Sequence, residues 1–415
     1  MARNVAPAAM SFADATAGDG QLLRDALATH GYAHVRGVLS DAALVHSLVG
    51  DLKRFIENLG FGGRFDDPAS VALPHAWPPA CSEGIMGEYG AGHTEAAWRV
   101  RLHANVRALF TAVWRTSQLV TSVDGINAER PHGSRLSDGD ALLLHSDSNP
   151  FVSDGAKLVQ GVVSLTATRA GTGGTTVVAR SHLLHRRLFA SREAQLRREG
   201  SHTFVVLNAQ ERVWLLNQAG CELVHIETEP GDVVFFSSRT VHCGRRAREP
   251  TTDWRFATYV CMAPASTLRE ADRQRKACVM GLAEWPHDAR RHQDVTAETT
   301  AHPPSGESIK PRFGWGRTTK PARVNNGITE APALALTPEG LQLAGVIPYD
   351  SDELAPGTAS RRSGGQQVAD AADLRAKRVK RFSAEDDEVI IIDGAPLPPV
   401  SKKPKPAADE VIVLD

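Results

Sequence analysis

Two histidines and one aspartate are the residues of this chain best suited to chemistry. His145 and Asp147 stand in the run His145-Ser146-Asp147, and His242 follows far downstream. Residues two apart on a strand point to the same side, so His145 and Asp147 can converge on one ion and His242 can close the set. Imidazole nitrogen with carboxylate oxygen suits ferrous iron better than an all-sulfur or all-oxygen set. Three ligands on one face leave the other face open, which is where oxygen chemistry happens. The run Gly231-Asp232-Val233-Val234-Phe235-Phe236 leads into His242, and Arg255 lies beyond it in Trp254-Arg255-Phe256-Ala257-Thr258-Tyr259-Val260. A guanidinium there can take a carboxylate through two parallel hydrogen bonds. Arg245 and Arg246 are rival anchors because they lie nearer to His242. Arg255 is preferred because a strand fixes its direction. Asp124, Asn127, Asn149 and Gln160 are candidates to line the same pocket. His182 and His185 read as residues that cap or pack a helix, and His225 as one that alternates within a strand.

These residues need a scaffold, and the hydrophobic pattern predicts one. Helices are expected over residues 21–30, from the Ser40-Asp41 cap through Ile56, and over 94–114. A short strand is expected over 31–38 and a long loop over 60–90, where Gly and Pro concentrate. From about Gln118 the period changes. Short strands are expected over residues 119–123, 141–144, 158–166, 175–178, 203–207, 213–216, 222–226, 232–236 and 254–262. Glycine-rich or polar turns separate most of them, the pattern of a sandwich or jelly roll. One helix is expected to interrupt them over 182–198, another to follow over 266–281, and a short one to begin near Leu336-Thr337-Pro338-Glu339-Gly340.

With 415 residues the chain can build one large or two medium domains. A formal net charge of -1 gives no global basic field for nucleic acid. The five cysteines, Cys81, Cys221, Cys243, Cys261 and Cys278, form no CxxC pair or regular framework, which suggests reduced thiols inside a cell. The opening residues lack the basic-then-apolar order of a secretory signal, and no apolar run approaches the roughly 18 residues of a membrane span. A soluble intracellular protein is expected.

His145-Ser146-Asp147, Gly173-Gly174-Thr175, Ser181-His182, Gly231-Asp232, His242 and Arg255 together resemble the phytanoyl-CoA dioxygenase-like branch of the Fe(II)/2-oxoglutarate-dependent oxygenases. The run from His30 to Ser40 resembles that family's opening strand and helix. The similarity covers about residues 20–265. It implies a mixed α and β fold: a double-stranded β-helix (jelly roll) core with flanking N-terminal helices. It implies His145, Asp147 and His242 as iron ligands, Arg255 as the anchor for the distal carboxylate of 2-oxoglutarate, and hydroxylation of an unknown substrate. Thr175 and Asn127 are further candidates for cosubstrate contact. The chain departs from the family pattern at Ala179-Arg180, where Pro-Gly is usual, and at Gly244, where a small polar residue is usual.

Four regions are expected: an N-terminal helical region over 1–118, the catalytic core over 119–265, a helical or irregular extension over 266–350, and a disordered tail over 351–415. In the tail, aromatics nearly vanish and charged and small residues dominate. It holds a basic cluster, Lys377-Arg378-Val379-Lys380-Arg381, consistent with nuclear import. Val389-Ile390-Ile391-Ile392 and Val411-Ile412-Val413-Leu414 are acid-flanked β-branched runs resembling SUMO-interacting motifs, suited to adding a strand to a partner's sheet. Ser383 precedes Glu385-Asp386-Asp387 and suits an acidophilic kinase. Besides the oxygenase, two other readings stand: a catalytically inactive relative acting as a nuclear scaffold, and a cupin-type metal enzyme without a keto-acid cosubstrate.

Overall fold

Short β-type runs between Gln118 and Pro264 form most of the strands of two sheets. The computed structural model describes residues 9–73, 76–78, 84–87, 89–131, 142–151, 158–169, 171–199, 205–218, 220–247, 252–280, 282, 328 and 331–349. Its strands, in chain order, are β1 (Met10–Ser11), β2 (Tyr32–Arg36), β3 (Ile85–Met86), β4 (Leu119–Thr121), β5 (Ile126–Glu129), β6 (His145–Ser146), β7 (Val159–Ser164), β8 (Gly174–Ala179), β9 (Val205–Val206), β10 (Glu222–Ile226), β11 (Val233–Ser237), β12 (His242–Arg245) and β13 (Arg255–Pro264). One sheet has eight strands in the order β1-β2-β11-β7-β13-β5-β3, with β4 also on β13. The other has five, in the order β10-β8-β12-β6-β9. Apart from the parallel β1–β2 pair, every named pairing is antiparallel. This is the jelly roll expected from the sequence.

Strand alternation sorts the side chains between two cores. Ala257 and Tyr259 point between the sheets and join Val162, Val177, Ala179, Ile226, Val234 and Phe236. Phe256, Val260 and Met262 point the other way, into a core shared with the helices. The Ala42–Asn58 helix shows how that second core is built. Asp41 accepts from the backbone of Ala43 and Leu44 and starts the helix. Val45, Leu48, Leu52, Phe55 and Ile56 then recur on one buried face, each worth roughly 1.5–3 kcal/mol when fully withdrawn from water. The Gln21–His30 helix has the expected bounds and ends on Gly31, which adopts φ 82°.

Several expectations need correction. The predicted helix over 94–114 is two helices, Glu95–Leu102 and Ala104–Trp114, because His103 turns out of helical geometry and its ring accepts from the Asn105 backbone at 3.2 Å. Residues 213–216 are not a strand. They end the helix Ala209–Leu216, which Asn208 and Glu211 start with a reciprocal capping box. The strand expected over 141–144 lies further on, at His145–Ser146. The helix expected over 182–198 is broken into Ser181–Leu184, His185–Leu188, Ala190–Arg192 and Glu193–Glu199. The expected loop over 60–90 contains the short helix Pro68–Ala72 and β3. In place of one helix over 266–281 there are a turn at Ala265–Thr267 and a helix at Glu270–Val279. Strands β5 and β12 were not foreseen. The helix near residue 338 is present as Pro338–Ala344, capped by Thr337. No helix among the described residues is long and apolar enough to cross a membrane. The tail, with its basic cluster, Ser383 and both β-branched runs, lies outside the described residues.

Candidate metal centre

His145 and His242 are brought together as register partners of β6 and β12, their ring centroids 4.4 Å apart. Asp147 follows β6, and its backbone N–H donates to the Ser238 carbonyl at 2.9 Å. Its Oδ2 lies 3.0 Å from His242 Nε2 and its Oδ1 3.6 Å from His145 Nε2. The three side chains offer ligand atoms within 4.8 Å of one another, the metal-sized cluster of His, Cys, Asp and Glu found among the described residues.

The hydrogen bonds of the rings reveal what this cluster is built to hold. His145 Nδ1 is 2.7 Å from the Leu143 carbonyl, and His242 Nδ1 is 2.8 Å from the Thr240 carbonyl. A carbonyl only accepts, so each Nδ1 carries the proton and each Nε2 presents a lone pair in the neutral ring. Two lone pairs and a carboxylate aimed at one point repel one another unless a cation lies between them. The donor set therefore fits a divalent metal, with the outer nitrogens fixing tautomer and ring direction. Gln160 Nε2 donates to Asp147 Oδ2 at 3.1 Å and orients the carboxylate. The Phe236 ring, 4.2 Å from that of His242, supplies an apolar wall.

His185 braces the ligand segment from behind. Its Nε2 lies 2.8 Å from the Ser146 hydroxyl and 3.0 Å from the Ser148 carbonyl. Burial pushes its pKa down to about 4, so the ring stays neutral near pH 7. The sequence reading of a packing residue holds for its contact with Phe189 but missed this brace. Residues 182 and 225 stay apart from the cluster: His182 Nε2 meets the Ala28 carbonyl, and His225 meets Thr176 and the Arg169 carbonyl.

Arg255 opens β13 and stands opposite Glu129 of β5. It alternates with Ala257 and Tyr259 and so shares their interior face. Its Nη1 is buried and makes no hydrogen bond, leaving a donor in place for an anion. Thr175 lies opposite Gly244, two residues along β8 and β12 from the His242–Val177 pair. Asn127 is fully buried opposite Ala257. Alternation along β12 sets Arg245 on the face of Cys243, which packs into a separate core with Val178 and Val241, away from the His242 face. Arg246 lies beyond the end of that strand. Of the other lining candidates, Gln160 reaches the cluster. Asn149 ties Phe151 to Leu196. Asp124 instead meets Ser122, and its backbone carbonyl accepts from buried Arg101.

Sequence reasoning missed Glu129. Its side chain is 7% exposed and its Oε2 lies 3.7 Å from Arg255 Nη1. Recognising Asn127 as a strand residue would have exposed it, since Glu129 is two residues on and shares the face.

A jelly roll holding two histidines and an aspartate at one point, with a buried arginine on the same interior face, defines an iron- and 2-oxoglutarate-dependent oxygenase. Residues 27–255 match the phytanoyl-CoA dioxygenase (PhyH) family, and the chain belongs to it. Among curated proteins it is similar to Ava biosynthesis cluster protein O of Aspergillus versicolor, 26% identical over 214 residues, 51% of this chain and 67% of that protein. Among solved structures it is similar to the epimerase SnoN in complex with Fe3+, alpha ketoglutarate and nogalamycin RO. That match is 19% identical with TM-score 0.39 and covers 59% of this chain and 83% of the other. It is also similar to HygX from Streptomyces hygroscopicus with nickel and 2-oxoglutarate bound, 18% identical with TM-score 0.38, covering 59% and 87%.

Proposed function

We propose that this oxygenase hydroxylates a small-molecule substrate, with His145, Asp147 and His242 holding Fe(II) and Arg255 receiving the distal carboxylate of 2-oxoglutarate. The paired Nδ1–H donations to Leu143 and Thr240 carry this reading, because in the neutral rings they leave both Nε2 lone pairs available to a cation. When bound, iron and 2-oxoglutarate supply oxidation of a substrate C–H bond coupled to loss of carbon dioxide and formation of succinate. The chain's own residues bind, orient and exclude water. Gln160 steadies the Asp147 carboxylate, His185 holds the segment that carries it, and Phe236 keeps water from the His242 ring. Thr175 and Asn127 share the interior face with Arg255 and are assigned to the cosubstrate. A small-molecule substrate is supported by the name of the Aspergillus relative, a biosynthesis-cluster protein. The intact ligand set favours this over an inactive scaffold.

We assign the regions as read from the sequence: 1–118 packs on the core, 119–265 is the core, 266–350 is an extension and 351–415 is an interaction tail. In that tail, Val389–Ile392 and Val411–Leu414 are proposed to bind SUMO, and the Lys377–Arg381 cluster to direct the chain to a nucleus. The duplicated Asp-Glu-Val openings at 387 and 409 support it.

The test of the catalytic reading is succinate release from 2-oxoglutarate under air with Fe(II). His145→Ala and Asp147→Ala are expected to lose it. Undiminished release from either variant rejects the ligand assignment.

A further inference from the structure

The pair formed by Arg255 and Glu129 does more than fill space. The two residues are cross-strand partners of β13 and β5. Their side chains are 9% and 7% exposed, and Nη1 and Oε2 stand 3.7 Å apart. That separation balances charge but exceeds hydrogen-bond length, and Nη1 makes no hydrogen bond elsewhere. The surrounding packing is tight. Gly173 passes directly over the pair, and a Cβ there would come within 2.8 Å of Glu129 Oε2 and 3.4 Å of Arg255 Cδ.

A buried guanidinium is strongly unfavourable without a compensating anion. Glu129 supplies that anion while leaving the Nη1 hydrogens available. We propose that Glu129 is a resident counter-anion, a positioning residue that sets how tightly Arg255 binds the cosubstrate. The proposal rests on the reading that Arg255 receives the distal carboxylate of 2-oxoglutarate. When that carboxylate arrives, two anions share one guanidinium, and like charges this close oppose each other. Glu129 thereby loosens 2-oxoglutarate. It loosens succinate equally, since succinate keeps the same distal carboxylate, and so favours departure of the product. Before the cosubstrate arrives, Glu129 keeps the empty arginine from carrying an uncompensated buried charge.

The experiment is calorimetric titration of Mn(II)-loaded full-length protein, without oxygen, using 2-oxoglutarate and 2-oxopentanoate. The second ligand has the same chain length but no distal carboxylate. Glu129→Gln is expected to bind 2-oxoglutarate about tenfold tighter, the equivalent of one pKa unit of interaction, and to bind 2-oxopentanoate as the unaltered protein does. Glu129→Asp draws the charge back by one methylene and is expected to tighten 2-oxoglutarate by less, which keeps the test open should the Gln variant fail to fold. Unchanged or weaker 2-oxoglutarate binding overturns the proposal, as does equal tightening of both ligands. Arg255→Gln separates the two readings. If it leaves 2-oxoglutarate affinity intact, the anchoring assignment itself fails. If it weakens 2-oxoglutarate while Glu129→Gln changes nothing, only the counter-anion role fails.

Discussion

Gly173→Ala probes whether the residue leading into β8 presses on the Arg255–Glu129 pair as described. A Cβ at this position would lie 2.8 Å from Glu129 Oε2, 2.9 Å from the Arg245 carbonyl oxygen and 3.4 Å from Arg255 Cδ. The carboxylate and the arginine chain can yield. The Arg245 carbonyl cannot yield easily, because β12 is fixed to β8 by the Arg245–Gly174 pairing. The added methyl group therefore overpacks a site with backbone on one side, which costs about 1–3 kcal/mol. It also forces the Glu129 carboxylate, 2.8 Å from the new Cβ, to shift against the Arg255 guanidinium. That shift strengthens its competition with the cosubstrate carboxylate and is expected to lower 2-oxoglutarate affinity by about tenfold, one pKa unit of interaction. The metal cluster lies further along the same strands, at the His242–Val177 pair, and is left in place. Urea unfolding and titration of Mn(II) and 2-oxoglutarate measure the three quantities. The expected result is lower stability, weaker 2-oxoglutarate binding and unaltered Mn(II) binding. Full stability with full 2-oxoglutarate affinity, or loss of metal affinity equal to the loss for the keto acid, refutes the reasoning.

Two further outcomes are expected. Lys276 is buried and donates to the Thr121 carbonyl at 2.7 Å. Burial pushes its pKa down to about 7 from 10.5, with Asp124, Cys261 and Asp272 opposing the shift and Arg101 adding to it. Between those two values the unfolded chain binds more protons than the folded one, so this lysine's penalty fades as pH rises. Below about pH 7 both states are protonated and the penalty is complete. Lys276→Met should therefore exceed the parent most in urea stability at pH 6 and least at pH 9, and a gap that widens with pH contradicts the burial described. In the tail, Ile391→Asp combined with Val413→Asp should abolish binding of the full chain to immobilised SUMO, and retention by the double variant rejects the tail assignment.

The barrel was legible because its signal is local. Short β-branched and aromatic runs bounded by polar or glycine turns, at Glu222–Ile226, Val233–Ser237 and Arg255–Pro264, mark strands of the barrel. The alternation of side chains between the two faces of a strand, once β12 is known, distinguishes Arg255 from Arg245. Residues 213–216 misled because a run of four apolar residues fits a buried strand or a helix end. The deciding signal was polar and upstream, the Asn208–Glu211 capping box. Glu129 was hidden because β5 is four residues long and its partners, Ile85–Met86 and Arg255–Thr258, lie far away in sequence. Arg101 and Lys276 are illegible for a related reason. Each sits on a helix as an ordinary charged residue, and only the fold shows it buried against backbone carbonyls from distant segments.

Titration of the protein with Fe(II) and 2-oxoglutarate in the absence of oxygen, followed by the weak visible charge-transfer band of the chelate, tests the central assignment most directly. The unaltered chain is expected to develop the band, His145→Ala and Asp147→Ala to show none, and Arg255→Gln to need far more 2-oxoglutarate. A band of full intensity in either ligand variant, or none in the unaltered chain, contradicts the placement of iron among His145, Asp147 and His242.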